Sequence, residues 1–370
     1  MITSSKFLRA KYGVVLRKYL KENATIKSII NFGDKHVFDA ITNTLIFIAV
    51  KQININNIFD YSCNICDPNI IKFSQAELHD SEWTIDNPEI ICLKIKMENN
   101  GTLLKDWDVN IYYGIKTGIN EAFIIDTKTK ECLCQEDLHS SEILKPILRG
   151  RDIKRYGYEW AGLWIIGTFP ALKIDIDKYP AIKKFLIDFG KDRLEQEGKK
   201  LPDGTKSRKK TGNKWFETQD QINYYPEFEK EKIIWIELTD KNKFAYSDKE
   251  DYLLAGAFFL TGKSLKYLLA FLNSKLCLFY FSLICNSSGM ATIQWKKFAL
   301  EKIPIKELSN NNQTPFIEIV DKILTITKSS DYFENPAKKE EVKEYEKQID
   351  QMVYKLYDLT PEEIAIVEGK

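Results

Sequence analysis

Two pieces of sequence, Gly114-Ile-Lys-Thr-Gly118-Ile-Asn-Glu-Ala-Phe123 and Leu148-Arg-Gly-Arg-Asp-Ile-Lys-Arg-Tyr156, decide how the rest of the 370-residue chain is read. Apolar residues flank the first piece, with Ile111, Tyr112 and Tyr113 before it and Ala122 to Ile125 at its end. With a glycine at each end of a Lys-Thr interval, the pattern predicts a strand, a tight turn and a second strand. Such a turn can offer backbone N–H groups to a phosphate, with Lys116, Thr117 and Asn120 beside it. The second piece sets Arg149, Arg151, Lys154 and Arg155 against the one acid Asp152, and Gly150 allows close backbone approach.

The charge of the whole chain is +1, which selects no class of partner. Its distribution does. From Lys145 to Lys214 there are 18 Lys and Arg against 9 Asp and Glu, whereas from Asp331 to Lys370 there are 6 against 11. Positive charge is therefore concentrated mid-chain, where a polyanion can use it. The densest part is Lys199 to Trp215, with Lys206, Arg208, Lys209, Lys210 and Lys214 among its cations and Pro202, Gly204 and Gly212 opposing regular structure. It reads as a flexible basic loop, either following a phosphate backbone or simply solvated. Trp215 to Asp220 and Tyr224-Tyr-Pro226 then place aromatic and amide side chains suited to base edges next to it.

An apolar fraction of 44% supports two or three domains with real cores. The most apolar stretch, Leu265 to Ile284, is interrupted by Lys266, Asn273, Ser274 and Lys275, which argues against a membrane span and for a soluble, cytoplasmic chain. Seven cysteines without a secretory signal read as reduced thiols. Cys63-x-x-Cys66 with Cys132-x-Cys134 departs from the common zinc spacings, so no metal is assigned. Three histidines, His36, His79 and His139, and no evident carboxylate-lysine cluster leave no nuclease centre to name.

Along the chain, Lys6 to Glu22 has helical spacing, and the apolar runs Ala24 to Asp34 and Ile41 to Val50 read as strands. Helix, strand, loop, strand is the closing pattern of an α/β domain. The Asn-rich residues 52–106 read as a linker with short strands. Strands are expected at Leu163 to Ile166, Lys232 to Glu237 and Phe258 to Gly262, with Trp235 and Phe244 in the core. A helix is expected within Tyr179 to Ile187, and a long buried one over Ser264 to Ser282 with Ser264 as its cap. Val342, Tyr345, Ile349, Met352, Val353 and Leu356 form the apolar stripe of a charged helix, and Thr360-Pro-Glu-Glu363 starts a last short one.

The paired pieces at 114–123 and 148–156 resemble the opening of a TaqI-like target-recognition domain, found with N6-adenine DNA methyltransferases and Type IIG restriction-modification enzymes. Residues 2–13 and Phe32-Gly-Asp-Lys-His-Val-Phe38 resemble the last motifs of the methyltransferase catalytic domain. Residues 258–305 are similar to half of a Type I specificity subunit. The resemblance implies that Phe38 stacks on an adenine flipped from the duplex, although without it Phe38 reads as a core or loop residue. It implies that the loop containing Ser287 and Ser288, and Gln294 beyond it, approach DNA. Neither the glycine-rich turn that cradles S-adenosylmethionine nor an Asn-Pro-Pro-Tyr motif is found; Asn87-Pro88 and Asn335-Pro336 lack the second proline.

The expected architecture is an α/β remnant, the end of a Rossmann-like methyltransferase domain (1–51), followed by the linker (52–106). An α+β target-recognition domain (107–306) and a C-terminal helical segment (307–370) complete it. Two functions fit. One is a double-stranded-DNA-binding module that recognises a target for N6-adenine methylation, in restriction-modification or phage defence. The other is an assembly subunit that docks on the missing catalytic half, or a separate methyltransferase chain, and binds DNA only in that complex. On either reading the chain binds no cofactor and methylates nothing alone, S-adenosylmethionine belonging to the complete enzyme.

Overall fold

The computed structural model describes residues 1–32, 43–54, 56–62, 65, 70–80, 83, 88–285 and 292–370. It is a mixed α/β structure whose sheets each recruit strands from distant parts of the chain.

The N-terminal sheet has five strands in the order Ile2–Ser4, Thr44–Val50, Thr25–Asn31, Ile58–Ser62 and Ile71–Ser74. Only the Thr25–Asn31 and Ile58–Ser62 pair is parallel. The two strands expected from the apolar runs are present, but the sheet continues through residues 58–74. The expected linker therefore supplies two of the five strands, because Phe59, Tyr61 and Phe73 give it an apolar face. Phe7, Phe47 and Trp83 close the core of this unit with ring centroids 6.2–6.3 Å apart.

Helix Val14–Asn23 is unusual for what it buries: Arg17, not its apolar residues. Arg17 donates to the carbonyls of Phe7, Ala10 and Asp80, which satisfies its charge inside the fold. Gly13 makes room for it, since a Cβ there would meet Phe7 O at 2.3 Å and the guanidinium at 2.6 Å.

The helix Pro88–Asn100 leads into the larger unit. Its fold closes where Thr102–Leu103 pairs with Pro304–Ile305. The central sheet has the order Phe244–Ser247, Lys232–Ile236, Ala257–Gly262 and Val109–Tyr113, antiparallel throughout. Alternate residues face opposite ways, as strand geometry requires. Ile233, Trp235, Phe258 and Leu260 pack against helices, while Ile234, Ala245 and Phe259 pack against a second sheet. That second sheet orders Tyr252–Leu253, Leu144–Leu148, Leu163–Ile166 and Ile124–Asp126. Its far face is covered by helix Pro180–Leu194, which kinks at Gly190 where φ is +127°.

The single long helix expected over 264–282 is two helices, Leu265–Asn273 and Lys275–Ile284, bent by 72° at Ser274. Ser264 has φ +56° and makes no side-chain cap; Ser274 caps the second helix by accepting from Cys277 N at 3.1 Å. The break is anchored from outside. Asn242 Nδ2 donates to Leu272 O and Ser274 O, and Asp350 accepts from Lys275 N at 2.8 Å. Among the described residues no single helix is long and apolar enough to cross a membrane, and this bent pair lies in the core.

The C-terminal helices complete that core. Helix Asn310–Thr327, which lies within the segment expected to be helical and has Pro315 inside it, packs on Leu265–Asn273. Helix Pro336–Leu356 buries Val342, Ile349 and Val353, so the apolar stripe docks on its own domain. Thr360 and Glu363 form the expected capping box.

Candidate nucleic-acid interface

The strand Val109–Tyr113 runs out of the central sheet into Gly114, and a cleft of the larger unit opens there. Gly114 N donates to Ala257 O at 2.9 Å and Ile115 N to Leu253 O at 2.7 Å. A side chain at Gly114 would meet Leu254 O at 2.3 Å, so only glycine lets the strand pass this close. This corrects the expected hairpin. The strand's partner is Ala257–Gly262, residues 120–123 form a short helix, and Ile124–Asp126 joins the other sheet. It also corrects the phosphate cradle at its start, since the Gly114 and Ile115 N–H groups are already taken.

The cleft beside this crossing has a volume of about 420 Å³. Its floor is small, formed by Gly114, Ala255, Gly256 and Ala257. Tyr113 and Phe298 stand at the rim, 51% and 57% exposed. Lys116 enters from one side, and its carbonyl accepts from Gln219 N and Asp220 N at 3.2 and 3.3 Å, which brings Asp220 into the lining. Burial raises the Asp220 carboxyl above its ordinary value, with the Lys116 charge opposing that shift. From the other side come Glu237 and Lys296. Glu237 N donates to Gly256 O at 2.9 Å, its carbonyl accepts from Trp295 N at 2.8 Å, and its carboxylate lies 3.5 Å from Lys296 Nζ. Lys297 is held back, donating to Ile111 O at 3.0 Å.

The cations singled out in the sequence divide into two groups. Arg149 is bidentate to Asp152, at 3.0 and 2.7 Å, and that carboxylate holds its guanidinium above the usual value. Arg155 donates to Glu346, Asn242 and the Asn273 carbonyl, joining the sheet to the helical tail. Arg208 is buried and makes five hydrogen bonds, to the carbonyls of Leu194, Thr117, Glu217 and Trp215. Its ring neighbour is Phe123, 5.0 Å away, and burial pushes its pKa down to about 10. These three arginines were expected to face DNA. They are structural ties, because each finds acceptors within the fold that phosphates would have to displace.

The second group is exposed. Arg151, Lys206, Lys209 and Lys210 lie at the surface and form no ion pair among the described residues. Lys154 donates to Arg151 O at 2.8 Å, and Lys214 sits 5.5 Å from the Phe216 ring. The basic loop is not free chain: Gly198 N donates to Arg208 O, Ser207 N to Lys199 O and Leu201 N to Thr205 O. Arg208 pins its base, and the lysines project from it.

Contacts tie these segments to elements that border the cleft, while Arg151, Lys154 and the cations of 206–214 lie outside its lining. Gly118 packs against Arg208 and Gln219, tying the 116–120 turn to the basic loop. Gly150 packs against Ile236, next to Glu237, tying the Arg151–Lys154 turn to the same strand end. Gln294 is half-buried opposite Leu238, two residues before Lys296. Thr117 is buried and donates to Asn120 Oδ1 at 2.8 Å, so it shapes the turn. Phe38, Ser287 and Ser288, like Cys63 and Cys66, lie outside the described residues. Sequence reading missed Tyr113 and Phe298 as rim residues and Glu237 and Lys296 as a pair. Nothing local marks them, since Glu237 and Lys296 are brought together by the pairing of two short strands.

Residues 145–305 match the family model of the TaqI-like C-terminal specificity domain. The whole chain aligns with the Type II methyltransferase M.BstVI of Geobacillus stearothermophilus, at 22% identity over 407 residues and 65% of that protein's length. Among solved structures it resembles the Type IIL restriction-modification enzyme MmeI, described in complex with DNA. The TM-score is 0.55 at 9% identity, covering 100% of this chain and 48% of that one. The type IIG restriction endonuclease BpuSI also matches, with a TM-score of 0.43 and 14% identity over 96% of this chain and 47% of that one. The chain thus spans about half to two thirds of the length of these relatives, and its central part, residues 145–305, is similar to the TaqI-like C-terminal specificity domain.

Proposed function

We propose that this chain recognises a double-stranded DNA target on behalf of a restriction-modification methyltransferase. The observation that carries this reading is a cleft lined by Lys116, Lys296 and Lys297, bordered by elements against which the segments bearing the exposed cations of 151–154 and 206–214 pack. Exposed lysines position a duplex through its phosphates, and the cleft between them is left for base edges. The methylation served is that of adenine N6, by the resemblance of the N-terminal residues, with Phe38 as the stacking aromatic. Restriction, phage defence and a cytoplasmic location belong to the same reading.

S-adenosylmethionine is not assigned to this chain. In the N-terminal sheet, the helix that follows a glycine, Val14–Asn23, has its start closed by Arg17 and the Phe7 carbonyl. On this reading the cofactor and the methyl transfer belong to the complete enzyme.

Crosslinking tests the interface. A duplex carrying 5-iododeoxyuridine, irradiated with the chain, should label peptides containing Tyr113 or Phe298; labelling confined to the N-terminal sheet would sink this placement.

A second reading is favoured by helix Val14–Asn23, which leaves Val15 80% and Tyr19 58% exposed beside Tyr12 at 71%. An apolar face of this kind fits assembly with a catalytic methyltransferase chain. A V15D/Y19D variant should then fail to co-purify with that chain while wild type succeeds, and equal recovery would set the reading aside.

A further inference from the structure

Asp220 and Glu237 stand among Lys116, Lys296 and Lys297 in the cleft, and a cleft that only followed phosphates would gain nothing from carboxylates, because like charge repels. Glu237 is nevertheless fixed there. Its N–H and carbonyl are tied to Gly256 and Trp295, so the side chain leaves a rigid strand end at a defined place. Sites built on strands hold their geometry better than sites on loops. Lys296 Nζ stands 3.5 Å away, and both side chains remain 30–38% exposed, within reach of a ligand. The small floor of glycine and alanine leaves room above them, and a Cβ at Gly256 would meet no atom within 4 Å.

An acceptor and a donor held side by side match a base pair that presents a donor next to acceptors; A·T does so too, through adenine N6 beside thymine O4, but adenine is usually read by Asn or Gln. In the major groove cytosine offers its N4 amino group, for which Glu and Asp are the usual partners, and guanine offers O6 and N7, the usual partners of Lys and Arg. We propose that the Glu237–Lys296 pair reads one C·G base pair of the target from the major groove. The carboxylate accepts from cytosine N4 and the ammonium donates to guanine O6 and N7. This assignment rests on the DNA-recognition reading above and deepens it. Left unbound, the pair is a surface ion pair of little consequence for folding.

The test is selection of the full chain on a duplex pool with a randomised core, followed by sequencing, for wild type, Glu237→Gln and Lys296→Met. Wild type should select a motif with a fixed C·G position. Each variant should lose about tenfold of its discrimination at that one position and keep the rest of the motif. Retained binding of the whole pool at low salt shows that both variants fold. Variants that keep the wild-type motif overturn the assignment, as does a change at an A·T position or one spread evenly over the motif. A wild-type chain that binds the pool without any motif, or does not bind it, overturns the proposed function itself and this assignment with it.

Discussion

Removing the Arg208 side chain separates the structural account from the one its sequence suggests. As a phosphate contact, Arg208→Ala would flatten the slope of log affinity against log salt by roughly 0.9 and leave stability unchanged. The structure requires the reverse. Five hydrogen bonds from a charged donor, at the low end of roughly 1.5 kcal/mol each, amount to about 7 kcal/mol lost. Relief from burying the charge offsets this, and a pKa held down to about 10 corresponds to about 3 kcal/mol. The net loss is about 4 kcal/mol, concentrated where the loop base meets the 116–120 turn. Native-state amide exchange reads it locally: the Gly198 and Ser207 amides should lose protection, and limited proteolysis should cut within 198–214. Arg208→Lys, with three donors in place of five, should fall between. An alanine variant with unchanged exchange and unfolding but a flatter salt slope would refute the reasoning.

Other perturbations follow from the same contacts. Arg155→Ala should free helix Pro336–Leu356 from the sheet, lowering stability by roughly 2–3 kcal/mol after allowance for partial exposure, without changing the salt slope; urea unfolding and duplex titration check the two halves. Asp350 is raised to about 6, chiefly by burial, with the Lys275 amide hydrogen bond and the Lys275 and Arg155 charges opposing. Since its folded value exceeds its unfolded one, its contribution is full below about pH 4 and lost as pH rises through 6. Asp350→Asn should therefore match wild type near pH 4 and exceed it by about 3 kcal/mol near pH 7, measured as the difference between the two unfolding curves. Equal curves at both pH values would contradict this.

Much of the scaffold was legible. Leu163–Ile166 and Lys232–Ile236 show as short apolar runs, and Thr360 to Glu363 carries its own capping chemistry. What could not be read was partnership. The strand Val109–Tyr113 looked like half of a local hairpin, but its partner lies nearly 150 residues on, and alternation does not name a partner. The break at Ser274 showed only as the polar interruption Asn273-Ser-Lys275, which does not say that the helix bends, because its anchors, Asn242 and Asp350, are remote. The site divides the same way. The basic surplus was visible, and the lysines of 206–214 are indeed at the surface. That Arg208 among them is a buried staple depends on carbonyls at Thr117 and Leu194, which no local pattern reveals. Glu237 and Lys296 meet only through folding.

The central claim is that the exposed cations of the larger unit hold a duplex. Anisotropy of a mixed-sequence duplex, titrated with the full chain from about 50 to 200 mM salt, tests it most directly. The account predicts a steep decline in affinity, with a slope that falls by roughly 3.6 when Arg151, Lys206, Lys209 and Lys210 become alanine and the unfolding curve stays where it was. A chain that binds no duplex at low salt, or one whose slope ignores those four substitutions, would contradict it.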